Sequence, residues 1–144
     1  PPTPPNESSA ASDVYKRQLL SPSIDSVKEF CLVLKEDVKI LENKWPGPTT
    51  FLLERSSDKY KYLSHLGRHA VRVSAHKPLI KLLNFFGSEI VSTSANISGE
   101  NEIKNKDDIV NFFNYEDVAL FDDSLGNLKK PTKIFDLKLK KYIR

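Results

Sequence analysis

The sequence predicts an α/β domain, a mixed sheet with flanking helices, on three observations. Residues 70–74 (AVRVS) alternate as a strand does, residues 78–86 (PLIKLLNFF) have helical apolar spacing with proline in the first turn, and residues 89–93 return to strand character. Strand, helix and strand in so short a span make a βαβ unit, whose crossover is expected to leave its two strands parallel. Residues 49–53 (TTFLL) add a β-branched and aromatic segment that suits a buried strand.

The other elements follow in chain order. Residues 1–18, PPTPPNESSAASDVYKRQ, combine clustered prolines and a Ser/Ala stretch with neither apolar period, so they are expected to be a leader, disordered or foreign to the fold. Residues 19–144 then form the domain. Ile24, Val27, Cys31, Leu34, Val38 and Leu41 fall on one helical face, with Ser23 placed to cap it. This stripe is one helix or two, the break expected at residues 35–37 with Asp37 as the second cap. WPGP at residues 45–48 ends helix, because two prolines and a glycine cannot continue its hydrogen bonds. Gly87 supplies the stop for the crossover helix. Beyond it are expected a helix at 107–113, a strand at 118–121, a turn at Gly126 and Asn127, and strands at 133–137 and 139–143.

Composition bounds the function. The 144 residues are 39% hydrophobic with a formal charge of +3, and 22 basic residues are interleaved with 19 acidic ones, which permits an anionic partner without demanding one. A lone cysteine, Cys31, forms no internal disulfide, and no apolar run approaches the roughly 20 residues of a membrane span. A soluble, cytoplasmic protein is the expectation, and Asn96-Ile97-Ser98 is then not a glycosylation site.

The candidate chemistry gathers around VSTSANISGE, residues 91–100, which begins where a strand runs out. Ser92, Thr93, Ser94 and Asn96 offer neutral donors and acceptors that suit phosphate oxygens or the polar groups of an amino acid. They equally suit a hydroxyl and amide turn that caps a following helix. Arg72 points away from Val71 and Val73, on a strand expected beside the hydroxyl strand, and a planar guanidinium suits a carboxylate or phosphate. His65 and His69 have the four-residue spacing of two zinc ligands, but Gly67 intervenes and no third ligand is near, so they read as surface loop residues. His76, at the start of the crossover helix, lines the crevice or helps cap the helix. Cys31 reads as core. Nothing in the sequence suggests a Ser-His-Asp arrangement or a glycine-rich phosphate loop. In residues 137–144, LKLKKYIR, a strand would set Lys138, Lys140 and Tyr142 on one face, as a nucleic-acid surface or as a solvated edge.

Four segments, KWPGPTTFLL, AVRVSAHKPLIKLL, GSEIVSTSANISGE and KKPTKIFDLKLKKYIR, resemble in order and spacing the YrdC/TsaC family of L-threonylcarbamoyladenylate synthases. The resemblance covers residues 19–144. It implies a YrdC-like twisted mixed sheet curved around a basic groove, and a nucleotidyltransferase reaction. L-threonine, bicarbonate and ATP as substrate, with Mg2+, would give threonylcarbamoyl-AMP and pyrophosphate for t6A modification of tRNA. It further implies Arg72, Ser94 and Thr132 at the threonine and Asn96, Arg144, Ser92 and Thr93 at the nucleotide. The implied partners are tRNA or double-stranded RNA and a downstream transferase complex of the TsaD, TsaB and TsaE type, with no membrane. Family members also carry a PT-x-x-x-x-G-L-like segment and a K-x-R pair upstream of the region corresponding to Leu19. Lys16 and Arg17 lack that spacing, and an N-terminally truncated member with a foreign leader is therefore expected. Two other readings share the scaffold: a noncatalytic RNA-binding module, and the carbamoyl-transferring domain of a hydrogenase-maturation protein.

Overall fold

The structure, a computed structural model, describes residues 17–96, 99–113, 116 and 118–144. Residues 1–16 of the expected leader and the last two positions of the Asn96 sequon lie outside the described residues, while Gln18, expected in the leader, begins the first strand.

Six strands form one mixed sheet: β1 (Gln18–Leu20), β2 (Thr49–Glu54), β3 (Arg68–Arg72), β4 (Ile90–Ser92), β5 (Lys133–Asp136) and β6 (Lys141–Tyr142). Their spatial order is β4-β1-β3-β2-β5-β6. The helices are α1 (Ile24–Lys28), α2 (Lys35–Glu42), α3 (Lys77–Phe86) and α4 (Lys106–Phe112), with a short 3-10 turn at Lys61–Leu63.

The crossover expectation is corrected by this order. β1 sits between β3 and β4, parallel to the first and antiparallel to the second, so β4 runs opposite to β3. The handedness rule binds a strand that returns parallel in the same sheet. Here β1 and β2 occupy both edges of β3, and β4 pairs on the outer edge of β1.

The helical stripe does divide, but earlier than expected. Ser23 caps α1 by accepting from the Ser26 amide, and the chain then leaves helix at residues 29–34 rather than 35–37. There Leu32 donates its amide to the Glu54 carbonyl at 2.8 Å and Cys31 bridges to Arg55, so the segment is drawn onto the end of β2. Asp37 caps nothing. It is buried inside α2 and pairs with Lys140.

One sheet face carries the main core. Leu19, Phe51, Leu53, Val71 and Val73 pack there against Val27, Phe30, Cys31, Leu41 and Trp45, most of which come from α1, α2 and the segment between them. WPGP locks this layer to the sheet. The Trp45 indole donates to the Thr49 carbonyl at 2.6 Å, Trp45-Pro46 is cis, and the Gly47 amide donates to the Val73 carbonyl at 2.8 Å. A Cβ on Gly47 would lie 2.3 Å from the Lys44 carbonyl oxygen, so only glycine lets the chain turn this closely.

Two expected strands are not found as such. Residues 118–121 form no strand and are exposed, since both sheet edges belong to β4 and β6. In the segment 139–143 the strand is confined to Lys141–Tyr142, after which Ile143 donates its amide to the Ile134 carbonyl at 2.9 Å. Lys138 and Lys140 lie in the preceding turn, where they bind Glu54 and Asp37, so no lysine stripe forms beside Tyr142.

Candidate functional site

The opposite sheet face is polar where the first is apolar. Strand alternation turns Gln18, Thr50, Arg72 and Thr132 to this side because Leu19, Phe51, Val71 and Phe135 face the core. Its apolar floor is small, consisting of Leu52, Ala70 and Ile134. Thr50, fully buried, donates its hydroxyl to Gln18 Oε1 at 3.0 Å and lies 3.4 Å from the Thr132 hydroxyl. Arg144 donates from Nε and Nη2 to the Thr132 carbonyl at 3.2 and 3.0 Å, clamping that residue from the chain's last position.

Arg72 ends β3 on this face. Its Nε is buried with no hydrogen-bond partner among the described residues, and burial lowers its pKa from the ordinary arginine value. Arginine stays charged at any physiological pH, so this is a partly desolvated cation. Four residues earlier on the same face, Arg68 is answered by Asp136, with Nη1 to Oδ2 at 2.6 Å. The contrast singles out Arg72 as the open cation of the pair.

The hydroxyl run sits elsewhere than expected. Ser92 pairs with Gln18, while Arg72 pairs with Leu20, which in turn pairs with Ile90. Two strand spacings and two residues therefore separate Arg72 from Ser92, roughly 12 Å between Cα atoms. Ser92 shares the Gln18 face, Thr93 and Ser94 are exposed beyond the strand, and Asn96 donates its amide to the Glu100 carbonyl at 3.0 Å. These hydroxyls do not cap the next helix. Asn105 does, accepting from the Asp108 amide at 2.8 Å. The sequence-predicted residues thus fall into two sets, Arg72, Thr132 and Arg144 about β3 and β5, and Ser92, Thr93, Ser94 and Asn96 at and beyond the end of β4.

Sequence reasoning missed Thr50 and the true place of His69. Thr50 was legible from TTFLL, where facing Phe51 and Leu53 to the core puts Thr50 on the other side. His69 is not a surface residue: it is 1% exposed in β3, edge-on to Phe30, with neither ring nitrogen bonded among the described residues. Burial, and secondarily Arg55, pushes its pKa down. Among the described residues no group of three or more His, Cys, Asp or Glu gathers to hold a metal.

One face of this mixed α/β sheet packs the core, and the other carries a partly desolvated cation and hydroxyls, groups whose chemistry suits an anion. The chain belongs to the Sua5/YciO/YrdC family, whose description is telomere recombination and whose sequence model matches residues 16–144. Threonylcarbamoyl-AMP synthase of Buchnera aphidicola from Acyrthosiphon pisum is 40% identical over 119 residues, 82% of this chain and 67% of that protein. The synthase of Aliivibrio fischeri is 32% identical over 111 residues, 76% of this chain and 60% of that protein. Across four such relatives the match spans 53% to 67% of their length. Among solved structures, P. abyssi Sua5 complexed with L-threonine superposes with a TM-score of 0.72 at 24% identity, covering 85% of this chain and 36% of that one. E. coli YciO gives 0.71 at 22%, covering 86% and 61%. These likenesses establish the fold. No helix among the described residues is long and apolar enough to cross a membrane.

Proposed function

We propose that the chain carries the threonylcarbamoyl-AMP synthase site, forming threonylcarbamoyl-AMP and pyrophosphate from L-threonine, bicarbonate and ATP. The observation that carries this reading is the half-buried Arg72, whose Nε is buried with no hydrogen-bond partner among the described residues, on the same sheet face as the Thr50 and Thr132 hydroxyls, in a chain 40% identical to a synthase. In it the threonine carboxylate lies on the Arg72 guanidinium, with Thr132 and Ser94 toward its amine and hydroxyl. Asn96, Ser92, Thr93 and Arg144 line the nucleotide. The amine attacks bicarbonate, expelling water, and the resulting carbamate oxygen attacks the α-phosphorus, expelling pyrophosphate. No side-chain nucleophile is required. Held together, the three reactants no longer lose translational freedom at each step, and fixed dipoles and cations stabilise the charge that builds on oxygen. Mg2+ would enter bound to the triphosphate, whose oxygens suit a small hard cation. The product would feed a transferase of the TsaD, TsaB and TsaE type acting on tRNA, in the cytoplasm.

Threonine- and bicarbonate-dependent pyrophosphate release from ATP, run beside a thermal melt, tests the reading. Release that needs both substrates, and that falls in Ser94→Ala and Asn96→Ala without loss of folding, supports it. A folded chain that releases none removes the activity from this chain.

A noncatalytic RNA-binding role has one observation in its favour, the Lys133 ammonium 5.4 Å over the half-exposed Tyr142 ring at the β6 edge. Binding of tRNA that collapses with added salt while threonine binding does not would separate that role from the synthase.

A further inference from the structure

Residues 118–131 carry no helix or strand, and every one is exposed, including Leu120, Phe121, Leu125 and Leu128. Such a strap lacks the ladder and the buried apolar area that normally fix a chain. Side-chain clips hold it instead. His76 Nε2 lies 3.0 Å from the Ser124 carbonyl oxygen, which makes Nε2 the protonated, donating nitrogen. Gly126 lies against the same ring, with a Cβ there 3.6 Å from His76 Nδ1. One turn further along α3, Lys81 Nζ is 3.6 Å from Asp123, and Lys106 of α4 pairs with Asp122 at 2.6 Å.

The ring is itself fixed at its base. The His76 amide donates to the buried Ser74 hydroxyl at 3.1 Å, and Ser74 lies two residues beyond Arg72. On the far side, the strap leads through Pro131 directly into Thr132, whose carbonyl Arg144 clamps. His76 is therefore the link between the end of the strand that presents Arg72 and the segment that presents Thr132.

We propose that His76 is a positioning residue: its Nε2–H latches the strap at Ser124 and so holds the segment that presents Thr132 in register with the end of β3 that presents Arg72. This rests on the synthase reading for its ligand, threonine, but not for the latch itself. Lys81 contributes less, as its exposed ion pair is screened by solvent.

The test uses the whole chain in three forms: wild type, His76→Ala, and His76→Gln, whose amide can donate from a similar reach. Two readouts are taken beside a thermal melt. One is the rate of tryptic cleavage after Lys129 without ligand, and the other is the calorimetric affinity for L-threonine. The latch predicts that His76→Ala is cleaved faster and binds threonine about five- to tenfold more weakly, the scale of one lost hydrogen bond, with an unchanged melt. Gln should restore both. Cleavage at the wild-type rate in His76→Ala overturns the latch, and faster cleavage with unaltered threonine affinity overturns the positioning role. If His76→Ala lowers the melt, recovery of cleavage and affinity in an equally destabilised His76→Gln still supports the latch, and non-recovery overturns it. Wild-type chain that binds no threonine overturns the substrate reading and the positioning role with it, and the ligand-free cleavage rates tell that failure from failure of the latch.

Discussion

Two desolvated side chains of β3, the half-buried Arg72 and the buried His69, have opposite meanings. Arg72 keeps its charge and lies on the polar sheet face, so a ligand carboxylate would recover the hydration it has lost. Arg72→Ala should weaken threonine binding about 10- to 100-fold, in line with hydrogen bonds to a charged group, while ATP affinity stays within about twofold. Calorimetry with each substrate checks this, and equal losses for both would move Arg72 out of the threonine subsite. His69 faces the core and stays neutral. Its folded pKa lies below the ordinary histidine value of 6.5, so the unfolded chain binds the proton more readily, and stability declines as pH falls below that value. Glu89 acts lower on the scale. Burial raises its pKa, but the hydrogen bonds from Ser26 and Tyr60 outweigh it, leaving the folded value below 4.5, so its contribution is lost as pH falls beneath that point. Urea titrations across pH should therefore show two acid-labile stretches. His69→Phe is expected to flatten the upper one and Glu89→Gln the lower, and an unaltered profile in either variant refutes that assignment.

Among the elements, the WPGP turn does the most to place the site. It starts β2 at Thr49, so that Thr50 falls on the polar sheet face, and its Gly47 amide holds the residue just past Arg72. Gly47→Ala must move either the Lys44 carbonyl or this contact, and is expected to cost about 2–4 kcal/mol of stability. Chemical denaturation measures it, and a loss below about 0.5 kcal/mol, the scale of an ordinary surface change, would show that the turn adapts. The elements were legible where local chemistry decides them: Ser23 as a cap, Gly87 as a stop, the alternation of AVRVS. They were illegible where a distant partner decides. The break at residues 29–34 follows from Leu32 reaching the Glu54 carbonyl, and nothing within the helical stripe announces that bond.

For the molecule as a whole, local pattern predicted strands better than it predicted their neighbours. The alternation of AVRVS marked β3, yet local periodicity could not disclose that β1 separates β3 from β4. A strand of three residues is too short to signal its neighbours. That interposed strand also sets an order of events during synthesis. Among the described strands β1 precedes both of its partners, which come at residues 71 and 92, so its pairing must close loops of about 50 and 70 residues. Contacts this distant along the chain slow folding, so β1 stays unpaired until β3 and then β4 have been made. Until then the nascent chain holds β1's apolar Leu19 and Leu20 open to chaperones, and it is there that a holdase would find its grip.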